Sequence, residues 1–247
     1  MPVFFLSPQS IDPPTVTISG ELLRHVRDSL RITEGEELLV GDGAGRRYRT
    51  VVTQVSKQAV TARILDTQPE PVRKTPTLVL GQALLKGDRM DWVIQKATEL
   101  GVWRIVPLQT AQSIVQPKPG RIEMQTARWQ RIALEAAQQS EQWRVPTVVA
   151  PQSLVSYTKN CPADSLRLIL TERRTGCWSL HEIALPAGAG ESIMLLVGPE
   201  GGWTGEEAAA VEQAGFLPIS LGPNILRAET AAVAAIAVLQ HRLGELG

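Results

Sequence analysis

The stretch LLVGPEGGWTGEE, residues 195–207, runs a hydrophobic segment into a glycine-rich loop and then into a helix start. Strand, glycines and helix in that order is the layout that cradles phosphates in nucleotide-binding proteins. The details depart from it. A phosphate loop of the G-x-x-x-x-G-K-[ST] kind needs a lysine after its last glycine, and a dinucleotide loop needs G-x-G-x-x-G opening into a helix. Here Gly198, Gly201, Gly202 and Gly205 are spaced otherwise, no basic residue lies within the loop, and Glu200 sits in its middle, where a carboxylate repels phosphate. That charge suits a cationic or neutral ligand better. Thr204 and Glu207 fit a capping box that opens the next helix. Leu195, Leu196 and Val197 read as the apolar end of a buried strand, which puts the loop at a strand's carboxyl edge, where open α/β sheets bind ligands. An ordinary βα turn with extra glycines fits the spacing as well.

A second loop of the same kind follows in LGPNILRAETAAVAAIAVLQHRL, residues 221–243. Gly222 and Pro223 make a rigid turn after a strand, and a helix begins around Thr230, so rich in alanine and valine that no polar face emerges before Gln240. A helix apolar all round is buried on more than one side. It packs on the sheet and on something further, for which a partner subunit is the economical candidate.

Working back from these loops, the chain has an α/β rhythm. TLVLGQALL, VWRIVPL, LRLIL, SIMLLVG and FLPISLG read as strands. Between them Met90, Val93, Ile94 and Ala97 lie at i, i+3, i+4, i+7 before Gly101, and Trp129, Ile132, Ala133, Ala136, Ala137 and Ser140 repeat the stripe. Strands alternating with helices imply a mostly parallel sheet covered on both faces. Upstream the pattern is different. VFFL, ELLVGD, RYRTVVTQV and AVTARIL are short strand-like runs with turns at residues 42–45 and near Lys57, and SGELLRHVRDSL reads as one helix from Ser19. A small β-barrel accounts for residues 1–70. The proline-punctuated DTQPEPVRKTP marks the boundary, with a second domain over 74–247.

With 247 residues the chain is long enough for one large domain or two modest ones. Two cysteines, Cys161 and Cys177, match no disulfide framework or C-x-x-C pattern, and a reducing cytoplasm is expected. The start MPVFFLSPQS lacks a signal peptide's basic and apolar regions, and the longest apolar run falls short of the ~20 residues of a membrane span. His25, His181 and His241 are scattered without ligand spacing, so no metal is expected. No G-x-S-x-G elbow or reactive cysteine signature points to a hydrolase. Net charge is zero, yet residues 43–63 hold Arg46, Arg47, Arg49, Lys57 and Arg63 without an acidic residue, whereas residues 175–226 hold six glutamates without lysine or arginine. One part is suited to meet an anion and the other is not, although a solvated face explains either run nearly as well. Two glycine loops meeting at one strand edge suit a flat, largely uncharged ligand, and favour binding and orientation over acid–base chemistry.

Taken together, LLVGPEGGWTGEE and LGPNILRAETAAVAAIAVL closely resemble the two signature segments of the RsmE family, 16S ribosomal RNA uridine N3-methyltransferases of the SPOUT class. KGDRMDWVIQKATELGVWRIVPL and RWQRIALEAAQQS, followed by VP, support the resemblance in the same order over about residues 78–243. HVRDSLRITEGEELLVGDGAG more weakly resembles the family's RNA-binding barrel of the PUA type. Two positions depart from the pattern: Gln142 stands where the family usually has arginine, with Arg144 two residues on, and Ser29 where it usually has valine.

The resemblance implies a PUA-like β-barrel followed by a SPOUT-type α/β domain with a carboxy-terminal trefoil knot, a rare exception to the rule against threaded chains. It implies S-adenosylmethionine bound in the knot, a homodimer joined there, and 16S ribosomal RNA or the small ribosomal subunit as partner. A ligand bearing a sulfonium cation and no phosphate fits an acidic loop. The implied cofactor-binding residues are Thr171, Val197, Gly198, Glu200, Gly202, Leu221, Gly222, Ile225, Leu226 and Thr230. Arg227 and Glu229 are the implied catalytic pair, Arg227 stabilising negative charge on uracil and Glu229 serving either as base or as helix-dipole partner. Arg24, Arg31, Arg46, Arg47, Arg49, Lys86, Arg89 and Arg144 are the RNA contacts, read as phosphate positioning. A non-catalytic ribosome-assembly factor, or the same chemistry on a different RNA, is the competing expectation.

Overall fold

The computed structural model describes residues 3–115, 119–172 and 176–247. Contacts divide the chain into two units, Met1–Val72 with Ala137–Val145, and Arg73–Ala136 with Pro146–Gly247.

In the first unit the strands are β1 (Val3–Phe5), β2 (Ile11–Asp12), β3 (Thr15–Ile18), β4 (Glu37–Gly41), β5 (Arg46–Val55) and β6 (Val60–Pro69). They form a mixed sheet in the order β1-β4-β5-β6-β3-β2. Phe4 of the edge strand β1 and Ile18 of β3, four places along that order, share one apolar core with Val40, Tyr48, Val52 and Val60, so the sheet curls around it. Tyr48, Thr50 and Val52 alternate inward as the period of two requires, and a register shift between Val52 and Gln54 turns Gln54 outward. Helix α1 (Gly20–Arg24) runs on into a π-helical turn over His25–Ser29 and seals the core with Leu23 and Val26.

Linear reading placed residues 137–145 in the second domain, but in the structure they join the first unit. The backbone N–H of Phe5 donates to Gln138 Oε1 at 3.1 Å, that of Val145 to the Gly43 carbonyl at 3.1 Å, and Arg144 pairs as an isolated bridge with Ala44. Hydrophobic periodicity marks which face of a helix is buried but not which unit buries it.

The second unit holds β7 (Thr77–Ala83), β8 (Arg104–Gln109), β9 (Thr147–Val148), β10 (Gln152–Ser153), β11 (Leu166–Leu170), β12 (Trp178–Ser179), β13 (Ser192–Val197) and β14 (Leu217–Ser220). Every pairing among them is parallel, in the order β10-β8-β7-β13-β11-β14-β12, with β9 alongside β8. The helices are α2 (Arg89–Glu99), α3 (Ile122–Gln139, whose last residues belong to the first unit), α4 (Leu154–Lys159), α5 (Gly205–Gln213) and α6 (Ala228–Arg242). Leu195 and Leu196, successive residues on opposite faces of β13, are both fully buried, which requires cover on both sides of the sheet. Leu154 and Tyr157 of α4 and Val211 of α5 pack on Leu196, Met194 and Ile169, while α6 lies against β13 and α2.

The stripe Met90, Val93, Ile94 and Ala97 is buried as its spacing predicts, and Gly101 follows that helix in the left-handed region at φ 77°. On α6, Ala232, Ala235, Ile236 and Leu239 are buried, and Gln240 donates to the Leu100 carbonyl across 2.6 Å. Val238 on another face is 40% exposed, so part of this apolar helix is uncovered in the single chain.

Candidate functional site

Pairing of β13 with β11 and of β11 with β14 sets three carboxyl strand ends side by side. The segments leaving them line one cavity of about 850 Å³: residues 170–172, 197–205, 220–222 and 224–228, with Arg89, Ala208 and Ala231. This is the crevice outside strand carboxyl ends where α/β sheets bind ligands, and its volume lies within the roughly 300–1,000 Å³ of ligand sites.

The first loop is held at both ends. Thr204 Oγ1 accepts from the Glu207 N–H and Glu207 Oε2 accepts from the Thr204 N–H, both at 3.1 Å, which completes the capping box. The other Glu207 oxygen accepts from the Ala111 N–H at 2.7 Å, fastening the cap to the chain after β8. Trp203 Nε1 donates to the Leu170 carbonyl at 2.9 Å. A Cβ on Gly198 would stand 3.1 Å from the Trp203 ring, so a side chain there requires the indole to give by a few tenths of an ångström. In the second loop Gly222 has φ 118°, which a side chain rarely adopts.

Glu200 is not the uncompensated charge that its loop suggests. Its Oε1 accepts from Arg89 Nη1 at 3.0 Å and from the Lys86 N–H at 3.1 Å, and Arg89 Nε lies 3.7 Å from Glu229 Oε1. The Oε2 atoms of both glutamates are buried and have no hydrogen-bond partner among the described residues. The compensating cation comes from α2, over a hundred residues away in sequence, so composition of the loop alone misjudged the local charge.

Of the residues expected at the cofactor, Thr171, Val197, Gly198, Glu200, Gly202, Leu221, Gly222, Ile225 and Leu226 line the cavity, and Thr230 does not. Thr171 also donates its N–H to the Ile219 carbonyl and lies 3.0 Å from Cys177 Sγ through its hydroxyl. Arg227, the N-cap residue of α6, is exposed and lines the cavity, whereas Glu229 lies in the first turn of α6 outside the lining. Sequence reasoning passed over Trp203, although a lone indole among glycines is a usable signal, and assigned Arg89 to RNA.

The expected RNA contacts differ in how committed their side chains are. Arg144 is paired with Glu70, and Arg49 lies 3.3 Å from Glu37. Arg47 stacks 3.9 Å above the Trp143 ring and donates to the Glu141 carbonyl. Partial burial there lowers the affinity of its guanidinium for a proton, against opposing pulls from Glu141 and Glu70. Arg24, Arg31 and Arg46 are exposed and have no salt bridge among the described residues; Lys86 is exposed too. Among the described residues no group of histidines, cysteines and carboxylates is placed to hold a metal ion, and no helix is long and apolar enough to cross a membrane.

A parallel sheet covered on both faces, with two glycine loops around a single cavity at its carboxyl edge, defines an α/β cofactor-binding domain following a separate β-unit. Residues 73–240 match the family model of an RNA methyltransferase domain, and residues 18–65 that of an RNA methyltransferase PUA domain. The chain belongs to the ribosomal RNA small subunit methyltransferase E family. It is 33% identical to the enzyme of that name from Synechocystis over 96% of this chain and 77% of the relative, and 29% identical to that from Bacillus subtilis over 96% and 94%. A crystal structure of the Neisseria gonorrhoeae ribosomal RNA small subunit methyltransferase E bound to S-adenosyl methionine superposes with a TM-score of 0.86 at 34% identity, covering 98% of each chain.

Proposed function

We propose that this protein is an S-adenosylmethionine-dependent methyltransferase that modifies N3 of a uridine in 16S ribosomal RNA of the small subunit. The observation that carries the reading is the cavity shared by the two glycine loops, in a chain that superposes along nearly its whole length on a relative holding S-adenosyl methionine.

The residues present fit that cofactor. Leu221, Ile225 and Leu226 offer apolar surface for an adenine face, and Gly198 and Gly222 allow close approach of the backbone. The buried Oε2 atom of Glu200, a lining residue without a hydrogen-bond partner for that atom among the described residues, suits a cationic ligand and not a phosphate. When bound, S-adenosylmethionine supplies a methyl group on a sulfonium as the electrophile. The protein orients the uracil, excludes water and favours loss of the N3 proton. Arg227, exposed at the head of α6 and free of salt bridges among the described residues, holds the uracil and stabilises its negative charge. Glu229 is engaged by Arg89 and stands outside the cavity lining, which favours a role in holding α6 over one as proton acceptor.

The target uracil must be unpaired or flipped out of its stack, because N3 is occupied in base pairs. Exposed arginines of the first unit, Arg24, Arg31 and Arg46, position the RNA through its phosphates. We assign the uncovered face of α6 around Val238 to a homodimer contact, and the carboxy-terminal loops to a trefoil knot. Insertion of β13 between the earlier strands β7 and β11 supports the latter. A ribosomal RNA substrate is met in the cytoplasm, to which we assign the protein. Mass mapping of ribosomal RNA from a deletion strain tests the function: loss of one N3-methyluridine from the small-subunit RNA is expected, and survival of every such residue rejects the substrate. Folded protein that does not bind S-adenosylmethionine in calorimetry would instead indicate a non-catalytic assembly factor.

A further inference from the structure

Arg89 opens α2, and the buried stripe of that helix fixes where it stands. From this point its guanidinium reaches a residue of the first loop and one in the first turn of α6. Nη1 lies 3.0 Å from Glu200 in the first loop, and Nε lies 3.7 Å from Glu229, which begins α6 immediately after the second loop. The Lys86 N–H adds a 3.1 Å bond to the same Glu200 oxygen. One cation from α2 thus joins two loops that approach from different strands.

We infer that Arg89 is a positioning residue of the cofactor cavity, acting through Glu200 and Glu229 to set the separation of the two glycine loops. This rests on the S-adenosylmethionine reading given above and adds a residue that the sequence assigned to RNA. The physical argument is one of charge. Two carboxylates share one guanidinium, and each keeps a buried oxygen without a donor among the described residues. Without Arg89 both would stand partly buried with no counter-ion between them, and their repulsion would push the first loop away from the start of α6. Arg89 is 44% exposed, so its ion pairs are partly screened and add little to global stability; their effect is on the local spacing of the loops. The planar fork of arginine serves two acceptors from different directions, whereas the single ammonium of lysine does not do so equally. A guanidinium directed to two carboxylates is also poorly disposed to meet an RNA phosphate.

The test is calorimetry with S-adenosylmethionine and S-adenosylhomocysteine on the wild type, R89Q, R89K and the double variant R89Q/E229Q, with RNA affinity measured in parallel. R89Q is expected to weaken both small ligands about tenfold, while RNA affinity changes by less than about twofold. R89K should fall between R89Q and the wild type. The double variant should recover part of the loss, because removing one carboxylate relieves the repulsion, which a general folding lesion would not do. Unchanged cofactor affinity in R89Q, above all with weakened RNA binding, overturns the inference and returns Arg89 to the RNA surface. Should R89Q fail to fold by circular dichroism, R89K decides alone, wild-type affinity there overturning the requirement for the fork. Absence of binding in the wild type itself would sink the cofactor reading together with this one, and is told apart by appearing before any substitution.

Discussion

Trp203 donates its indole N–H to the carbonyl of Leu170 across 2.9 Å, tying the first glycine loop to the end of the neighbouring strand β11. Gly198 lies against the same ring, where an added Cβ would stand 3.1 Å from it. Loop and strand are therefore positioned by one indole, and two substitutions probe it from opposite sides. Gly198→Ala pushes on the ring and Trp203→Phe removes the hydrogen bond. Each is expected to reduce affinity for S-adenosylmethionine by about 1 kcal/mol or more, with a smaller effect on thermal unfolding. Calorimetry and a melting curve check this, and wild-type affinity in both variants would remove Trp203 from the site.

Arg227 borders the cavity yet is exposed, and no salt bridge holds it among the described residues. Its replacement by alanine should leave cofactor affinity in place while methyl transfer falls by about 10²- to 10³-fold, the scale of losing one stabiliser of developing charge. Single-turnover assays with RNA in excess separate the two effects. Unaltered turnover would exclude Arg227 from the chemistry.

How far the sequence discloses this molecule depends on the distance over which each feature is determined. The capping box of Thr204 and Glu207, the buried stripe of α2 and the strands bounding both loops rest on neighbours a few residues away, and each has a local signature. Convergence of the two loops was expected from their shared layout, and they do line one cavity. Insertion of β13 between β7 and β11, the return of residues 137–145 to the first unit, and the reach of Arg89 to Glu200 have no such signature. They follow from strand order and tertiary packing, which alternation and spacing do not encode. The two-residue strand β2, followed at once by Pro13 and Pro14, also has no pattern of its own, for prolines weaken a strand signal.

The arginines of the first unit are sorted by structure in a way their count does not show. Arg47, Arg49 and Arg144 already have partners in Trp143, Glu37 and Glu70, whereas Arg24, Arg31 and Arg46 present exposed guanidiniums. Replacing Arg24, Arg31 and Arg46 together with alanine should weaken RNA binding and flatten its dependence on salt by about 0.7 to 0.9 in log–log slope for each phosphate no longer neutralised. Replacing Arg47 should act chiefly through the stack on Trp143, lowering the stability of the first unit with a smaller change in slope. Filter binding over a salt series distinguishes them. An unchanged slope in the triple variant would place the RNA surface elsewhere.

Tyr157 tests the core beneath the sheet. Its ring packs with Phe216, Ile169 and Leu196 at 4% exposure, and its hydroxyl has no hydrogen-bond partner among the described residues. Burial pushes its phenol far above the ordinary range. Deleting the hydroxyl in Tyr157→Phe leaves the packing in place and removes an unsatisfied polar group, so stability near neutral pH should be unchanged or higher by up to about 1 kcal/mol. The linkage has a definite sign. Above pH about 10 the unfolded chain releases the phenol proton while the native state retains it, so the unfolded state binds fewer protons and wild-type stability falls as pH rises. Phenylalanine has no proton to release, so the variant should be the more stable form increasingly above that pH, and the two should run parallel below it. Denaturant unfolding at neutral and alkaline pH measures both parts. A loss of more than about 1 kcal/mol at neutral pH would mean that the hydroxyl is hydrogen-bonded in solution, as by a buried water, and that the polar atom stabilises this core.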